Sequence, residues 1–284
     1  MASPELKTIT EMLRARQQEA PSDISFPASR AMAGGIPAEW IAASRAGDDQ
    51  TIYWLHGGGY CIGSINTHRG MLARISAATR ARVFAIDYRL APEDPFPAAV
   101  EDAVSGYLWL LASGVDPEQI IIGGDSAGGG LAVATVVALK EDGKPLPAAA
   151  VCISPWTDMA LTGDSLRSKA ETDPMITNDG ITRVRDAYVG DSDPSAPLVS
   201  PIYAGLSGLP PLLIQVGENE VLLNDSTRLA ERAEAAGVDV TLEVWPEMIH
   251  VWHFFAAMLP EGQKAIDRIG EWVRQRLGAP VTAS

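Results

Sequence analysis

Cysteine is almost absent from this chain: two residues in 284, Cys61 and Cys152, far apart and outside any metal-type spacing. That excludes a disulfide-stapled scaffold and a cysteine-rich metal site, and it suits two free thiols in a reducing, cytoplasmic compartment. Positive charge is scarce as well. Lys and Arg total 22 against 36 Asp and Glu, a formal net charge of −14. A balance of that sign repels nucleic acid and anionic membrane surfaces, so neither is expected as a partner. No apolar run approaches the roughly 20 residues of a membrane span, and the opening "MASPELKTITEMLRARQQ" lacks the apolar core of a signal peptide. Nucleotide loops are missing too: there is no G-x-x-x-x-G-K-[ST], and no G-x-G-x-x-G at a strand-to-helix junction.

What the chain does have is a rhythm. "TIYWLH" (51–56), "VFAID" (83–87), "IIIGGD" (120–125), "AVCIS" (150–154), "LLIQVG" (212–217) and "VTLEVW" (240–245) are short, apolar and rich in β-branched residues. Such runs suit strands buried on both faces of a parallel sheet. Between most of them lie helical patterns, three of which close on glycine. Strand alternating with helix predicts an α/β fold with helices on both faces of the sheet. Before residue 40 the pattern differs. Ser3-Pro4-Glu5 reads as a helix start, Leu6, Ile9, Met12 and Leu13 share a face, and Pro21 and Pro27 end the segment. Nothing there reads as a strand. Between Ser154 and Leu212 more than fifty residues pass without one, far beyond the usual 2–6-residue connections on either side of one helix. This predicts an insertion above the sheet. The division expected is cap elements at 1–45 and about 157–208, over a core of 46–156 and 209–284.

Two glycine clusters carry the chemistry. Gly124-Asp125-Ser126-Ala127-Gly128 is G-x-S-x-G directly after a strand and before a helix, the context in which a serine sits exposed on a sharp turn at the sheet's carboxyl edge. His56-Gly57-Gly58-Gly59 follows another strand. Glycines there let backbone N–H groups face a reacting oxygen with no side chains in the way, so Gly57, Gly58, Gly59 and Ala127 form a pool of oxyanion donors. His56 lies ahead of the serine on that loop and is expected to brace it.

"HGGGY" (56–60), "DYRLAPE" (87–93) and "GDSAGG" (124–129), in this order and spacing, resemble the hormone-sensitive-lipase-like bacterial esterases of the GDSAG type. The resemblance runs from about residue 50 to 255. It implies an α/β-hydrolase fold with a helical cap, a Ser–acid–His triad, hydrolysis of short- to medium-chain carboxylic esters, and no cofactor or metal. The expected order is Ser, acid, His. Of the two histidines after Ser126, His250 matches the family pattern through His250-Val251-Trp252, and His253 reads as packing. A zinc site built on the pair fails on its spacing and on the lack of a third ligand. For the acid, "VGENEVLLNDS" places Glu220 where the family more often has aspartate; Asp225 and Glu218 are the alternatives. Arg89 and Glu93 of "DYRLAPE" are expected to brace loops. Trp156, Tyr188, Met175 and Trp252 are pocket candidates, and the strand 240–245 is a candidate homodimer edge. Two other readings stay open: hydrolysis of a different acyl substrate (an amide, a lactone, an acylated antibiotic), and a binding protein that kept the fold without turnover.

Overall fold

The computed structural model describes residues 27–278. An eight-stranded sheet carries the chain, in the order β1 (Ala28–Ala33), β2 (Ile36–Ile41), β4 (Ala81–Ile86), β3 (Gly47–Leu55), β5 (Ile120–Asp125), β6 (Ala149–Ile153), β7 (Leu212–Gly217), β8 (Val240–Trp245). From β4 through β8 every neighbouring pair is parallel, and only β2 runs against the rest. This is the α/β-hydrolase arrangement. All six strands read from the sequence fall within a few residues of their expected places. β5, β6 and β7 are buried at every position, as an uninterrupted apolar run requires when helices cover both faces.

Among the described residues seven α-helices flank or overhang the sheet: α1 (Ile65–Thr79), α2 (Ala98–Ala112), α3 (Ala127–Glu141), α4 (Ser165–Ser168), α5 (Asn178–Val189), α6 (Leu223–Ala235) and α7 (Pro260–Leu277). They divide the apolar core in two. On one face α1 and α7 pack through Leu72, Ile75, Ile266 and Val273 against Ile52, Val83 and Ile121. On the other, α2, α3 and α6 pack through Leu110, Val136 and Leu229 against Tyr53, Phe84 and Ile122. Each such fully buried side chain contributes about 1.5–3 kcal/mol. Among the described residues no helix is long and apolar enough to cross a membrane.

The N-terminal expectation needs correcting. The segment before residue 40 is expected to hold no strand, yet Ala28–Ala33 and Ile36–Ile41 form β1 and β2 of the main sheet. The cap boundary at residue 45 therefore does not describe this stretch. β1 reads "ASRAMA", with none of the β-branched residues that mark the other strands, and most of it is exposed. Its place comes from antiparallel pairing with β2, which itself pairs antiparallel with β4. The helix expected around residues 3–20 lies outside the described residues.

The insertion between β6 and β7 is present as expected: no strand, the helices α4 and α5, and a 3-10 turn at Pro201–Tyr203. Arg89 braces as expected, with partners the sequence did not name. Its guanidinium grips the buried Asp102 carboxylate through Nε and Nη2 (2.8–3.0 Å), and Nη2 reaches Glu101 at 2.9 Å. The backbone N–H of Arg89 also donates to Asp102 at 2.8 Å.

Removing that guanidinium leaves a buried carboxylate short of donors, which costs about 1.5–3 kcal/mol for charged hydrogen bonds, less where the cation is half exposed, as Arg89 is. Arg89→Ala is expected to lower the melting temperature by about 2–6 °C and leave turnover per folded molecule near wild type. Unchanged melting with lost turnover contradicts the bracing role.

Candidate active site

Ser126 sits between the end of β5 and the start of α3, with φ 53° and ψ −122°. A non-glycine residue there is strained by about 1–3 kcal/mol and persists only where its surroundings hold it. The glycines around it supply that hold. A Cβ on Gly124 would strike the Gly128 carbonyl, and one on Gly128 would strike the Leu55 carbonyl. Strand, turn and helix therefore approach as only glycine permits. The Ser126 N–H donates to the Ile153 carbonyl at 2.8 Å, and its carbonyl accepts from Trp156 and Gly130.

His250 comes from the loop after β8. Its Nε2 lies 2.9 Å from Ser126 Oγ, and its Nδ1 lies 2.6 Å from Glu220 Oε2. With the proton on Nδ1 given to Glu220, Nε2 is an acceptor for the serine hydroxyl. Glu220 is fully buried on the loop after β7. Its other oxygen, Oε1, accepts from the Gly217 N–H (2.6 Å) and from Ser154 Oγ (2.8 Å). Burial pushes the His250 imidazole down, but the facing Glu220 carboxylate outweighs it, and the net shift is above 6.5. Neither alternative acid reaches His250. Asp225 accepts from the N–H groups of Thr157 and Asp158 (2.8 and 2.9 Å), and burial raises its carboxyl to about 7. Glu218 accepts from the Glu247 N–H at the surface.

The glycine loop narrows the donor pool. The Gly57 N–H donates to His68 Nε2 at 3.2 Å, and the same nitrogen lies 3.1 Å from Asp125 Oδ2. Burial lowers the His68 imidazole and Asp125 raises it, with a net upward shift. The Gly57 N–H points at the His68 ring in either state, and it is accepted there only when Nε2 carries no proton. Gly57 is thus drawn out of the pool. Gly58 and Gly59 take φ of +122° and +62°, and no hydrogen bond among the described residues uses their N–H groups or that of Ala127. Ala127 opens α3, where the first N–H groups have no intrahelical acceptor. His56 lies behind the loop: Nδ1 contacts Gly57 O at 2.8 Å and the ring stacks on Tyr88 at 4.3 Å. Burial, with His68 nearby, lowers it to about 3. His253 is buried with Nε2 on Gln215 Oε1 at 2.8 Å, and burial lowers it to about 3.

A cavity of about 540 Å³ opens over Ser126 and His250. Trp156 and Met175 line it as expected. Tyr188 and Trp252 do not. Tyr188 stacks flat on Tyr60 at 3.7 Å, and Trp252 is buried against Trp245 and His253. The sequence reading missed Ile176, Ile181 and Val184 from the insertion, and Leu222 and Phe254 from the core. It also missed Ser154, which donates to Glu220 and accepts from the Val251 N–H (3.2 Å), tying acid and histidine loops together. Ser154 directly follows β6, the strand beside the one that leads into Ser126, a position that was itself a signal. Among the described residues no cluster of His, Cys, Asp or Glu is arranged to hold a metal ion.

The chain is similar to known proteins in sequence and fold. Residues 52–254 match a family model described as alpha/beta hydrolase fold. An acetyl-hydrolase of Streptomyces hygroscopicus is 43% identical, over 98% of this chain and 99% of its own. An esterase of Acinetobacter venetianus is 37% identical over 84% and 78%. The crystal structure of an esterase from the bacterial hormone-sensitive lipase family superposes with a TM-score of 0.90 at 51% identity, covering 98% of this chain and 100% of that one.

His250 must be neutral to accept the Ser126 proton its geometry faces, so kcat/KM is expected to fall as pH drops through the His250 pKa. Glu220 raises that pKa; removing its charge must move the acid limb to lower pH while impairing the step. Glu220→Gln is expected to cut kcat/KM for p-nitrophenyl butyrate on the order of 10²–10⁴-fold and to shift the limb downward. A limb that stays in place contradicts the pairing.

Proposed function

The chain belongs to the alpha/beta hydrolase fold family and is a carboxylic ester hydrolase of the bacterial hormone-sensitive-lipase type, and from that premise we propose that Ser126 is its nucleophile, His250 its general base and Glu220 the acid that orients the base. The observation that carries this reading is the unbroken line Ser126 Oγ–His250 Nε2 (2.9 Å), His250 Nδ1–Glu220 Oε2 (2.6 Å). His250 takes the hydroxyl proton as Ser126 attacks the ester carbonyl. Negative charge develops on the carbonyl oxygen, where the amides of Gly58, Gly59 and Ala127 are the donors. One such donor is worth about 2.7–4 kcal/mol of transition-state stabilisation. His250 next protonates the leaving alcohol, forming an acyl-enzyme on Ser126. Water, deprotonated by the same imidazole, then releases the acid.

The substrates are esters of short- to medium-chain acids. The cavity volume supports this, at about 540 Å³ in the range of roughly 300–1,000 Å³ usual for small-molecule sites. Residues 157–208 are its cap: Ile176, Ile181 and Val184 give the cavity an apolar wall. The half-exposed edge strand β8, with Val244 42% exposed, is the surface for a homodimer. The two buried free thiols suit a reducing, cytoplasmic compartment.

A series of p-nitrophenyl esters from acetate to palmitate, with wild type beside Ser126→Ala, tests the reading. The expected result is a maximum at short chains and loss of at least 10³-fold in the variant. Equal rates in both proteins remove Ser126 as nucleophile, and a maximum at palmitate overturns the substrate class.

A further inference from the structure

Val221 follows the triad acid directly, and Leu222, the next residue, lines the cavity. The peptide groups between them therefore set both where Glu220 stands and where the pocket wall begins. Both are held from outside the core, by the insertion. Asp173 Oδ2 accepts from the Val221 N–H at 2.9 Å. Ser165 Oγ donates to the Val221 carbonyl at 2.6 Å and accepts from the Asn224 N–H at 2.9 Å. The Ser165 N–H in turn donates to Asn224 Oδ1 at 2.8 Å. Asp173 and Ser165 are themselves buried, so these bonds are shielded from competing water.

The other oxygen of Asp173 faces the opposite way. Oδ1 accepts from the N–H groups of Met175 (2.8 Å) and Ile176 (3.0 Å), two residues of the cavity wall. One buried carboxylate thus joins the acid loop to the roof of the site. A local turn at 173–176 needs only the Oδ1 bonds; the third bond crosses 48 residues of sequence. The roof continues through Thr177, whose Oγ1 caps α5 by accepting from Gly180. On α5, Val184 lies against Gly59: a Cβ placed there would come within 3.1 Å of Val184 Cγ2. Acid loop, roof and oxyanion loop form one contiguous span.

We propose that Asp173 and Ser165 are positioning residues for ester hydrolysis: they clasp the Val221 peptide groups, hold Glu220 in line with His250, and make the roof and the triad acid move as one body. This rests on the reading of Ser126, His250 and Glu220 as the triad. Loosening the clasp then harms chemistry on every ester, even one too small to fill the roof.

The test is kcat and KM for p-nitrophenyl acetate as a function of pH in wild type, Ser165→Ala and Asp173→Asn. His250 is faced by Glu220 in contact, by Asp173 and Asp125 at longer range, and by the neighbouring His253. Asp173→Asn removes one of these charges, so the uncharged Ser165→Ala isolates positioning. The expected outcome in Ser165→Ala is about a tenfold fall in kcat, a KM within about twofold of wild type, and an acid limb moved to lower pH. Unchanged kcat and limb with a raised KM reduce the clasp to a pocket wall and overturn the proposal. Hydrogen exchange on wild-type enzyme tests it without a variant. The amides of Val221, Met175 and Ile176, all bound to Asp173, must exchange with one common opening rate; a Val221 amide that opens independently overturns the proposal. Ser126→Ala and His250→Ala run alongside. Their retaining activity defeats the triad reading, whereas their inactivity with unaffected clasp variants defeats the clasp alone.

Discussion

A single buried carboxylate organises this molecule's chemistry. Glu220 has no exposed surface, and a charge in that position is tolerable only if both of its oxygens are hydrogen-bonded. The Gly217 amide, the Ser154 hydroxyl and the His250 ring use them. Each donor belongs to a different structural element: the end of β7, the end of β6, and the loop after β8. Satisfying Glu220 therefore draws three carboxyl ends of the sheet to one point. The imidazole that results has its tautomer fixed and its free nitrogen aimed at Ser126. The hydroxyl it meets stands on a strained turn that could not persist without the glycine packing beneath it.

The same economy appears on the oxyanion side. Three consecutive glycines follow β3, and one of them is spent on His68. That contact sets the start of the loop against α1, where His68 Nε2 also lies 3.1 Å from Asp125, the residue before Ser126. Burial raises the Asp125 carboxyl and His68 lowers it, the net result being a carboxylate held below its usual range. Trp54 on β3 donates to its other oxygen at 3.1 Å. The glycine loop and the Ser126 turn thus meet at one carboxylate, as the loops carrying Ser154 and His250 meet at another.

Much of this was legible in the sequence because it is local. The strands β3 to β8 are marked by apolar, β-branched runs, and G-x-S-x-G between strand and helix fixes Ser126. Order along the chain, with a motif match, favours His250 and Glu220 while leaving Asp225 and Glu218 open as the acid. What was hidden depends on partners distant in sequence. β1 is alanine-rich and exposed and becomes a strand only because β2 is there to pair with it. Gly57 looks like its two neighbours until His68 is placed beside it. Tyr188 has the composition of a pocket residue, yet its ring is taken by Tyr60, a contact 128 residues away that no periodicity reports. The insertion gave no strand pattern and so no geometry, and Ile176, Ile181 and Val184 of the cavity wall lay unread there.

The central claim is that Ser126 is the one hydroxyl made nucleophilic by this arrangement. Treating the enzyme with diethyl p-nitrophenyl phosphate and mapping the adduct by peptide mass spectrometry tests it most directly, since the reagent marks the attacking oxygen itself. The account predicts one diethylphosphoryl group per chain, on the peptide containing Ser126, formed in step with loss of esterase activity. Inactivation with Ser126 unmodified, or a label on another residue, contradicts it.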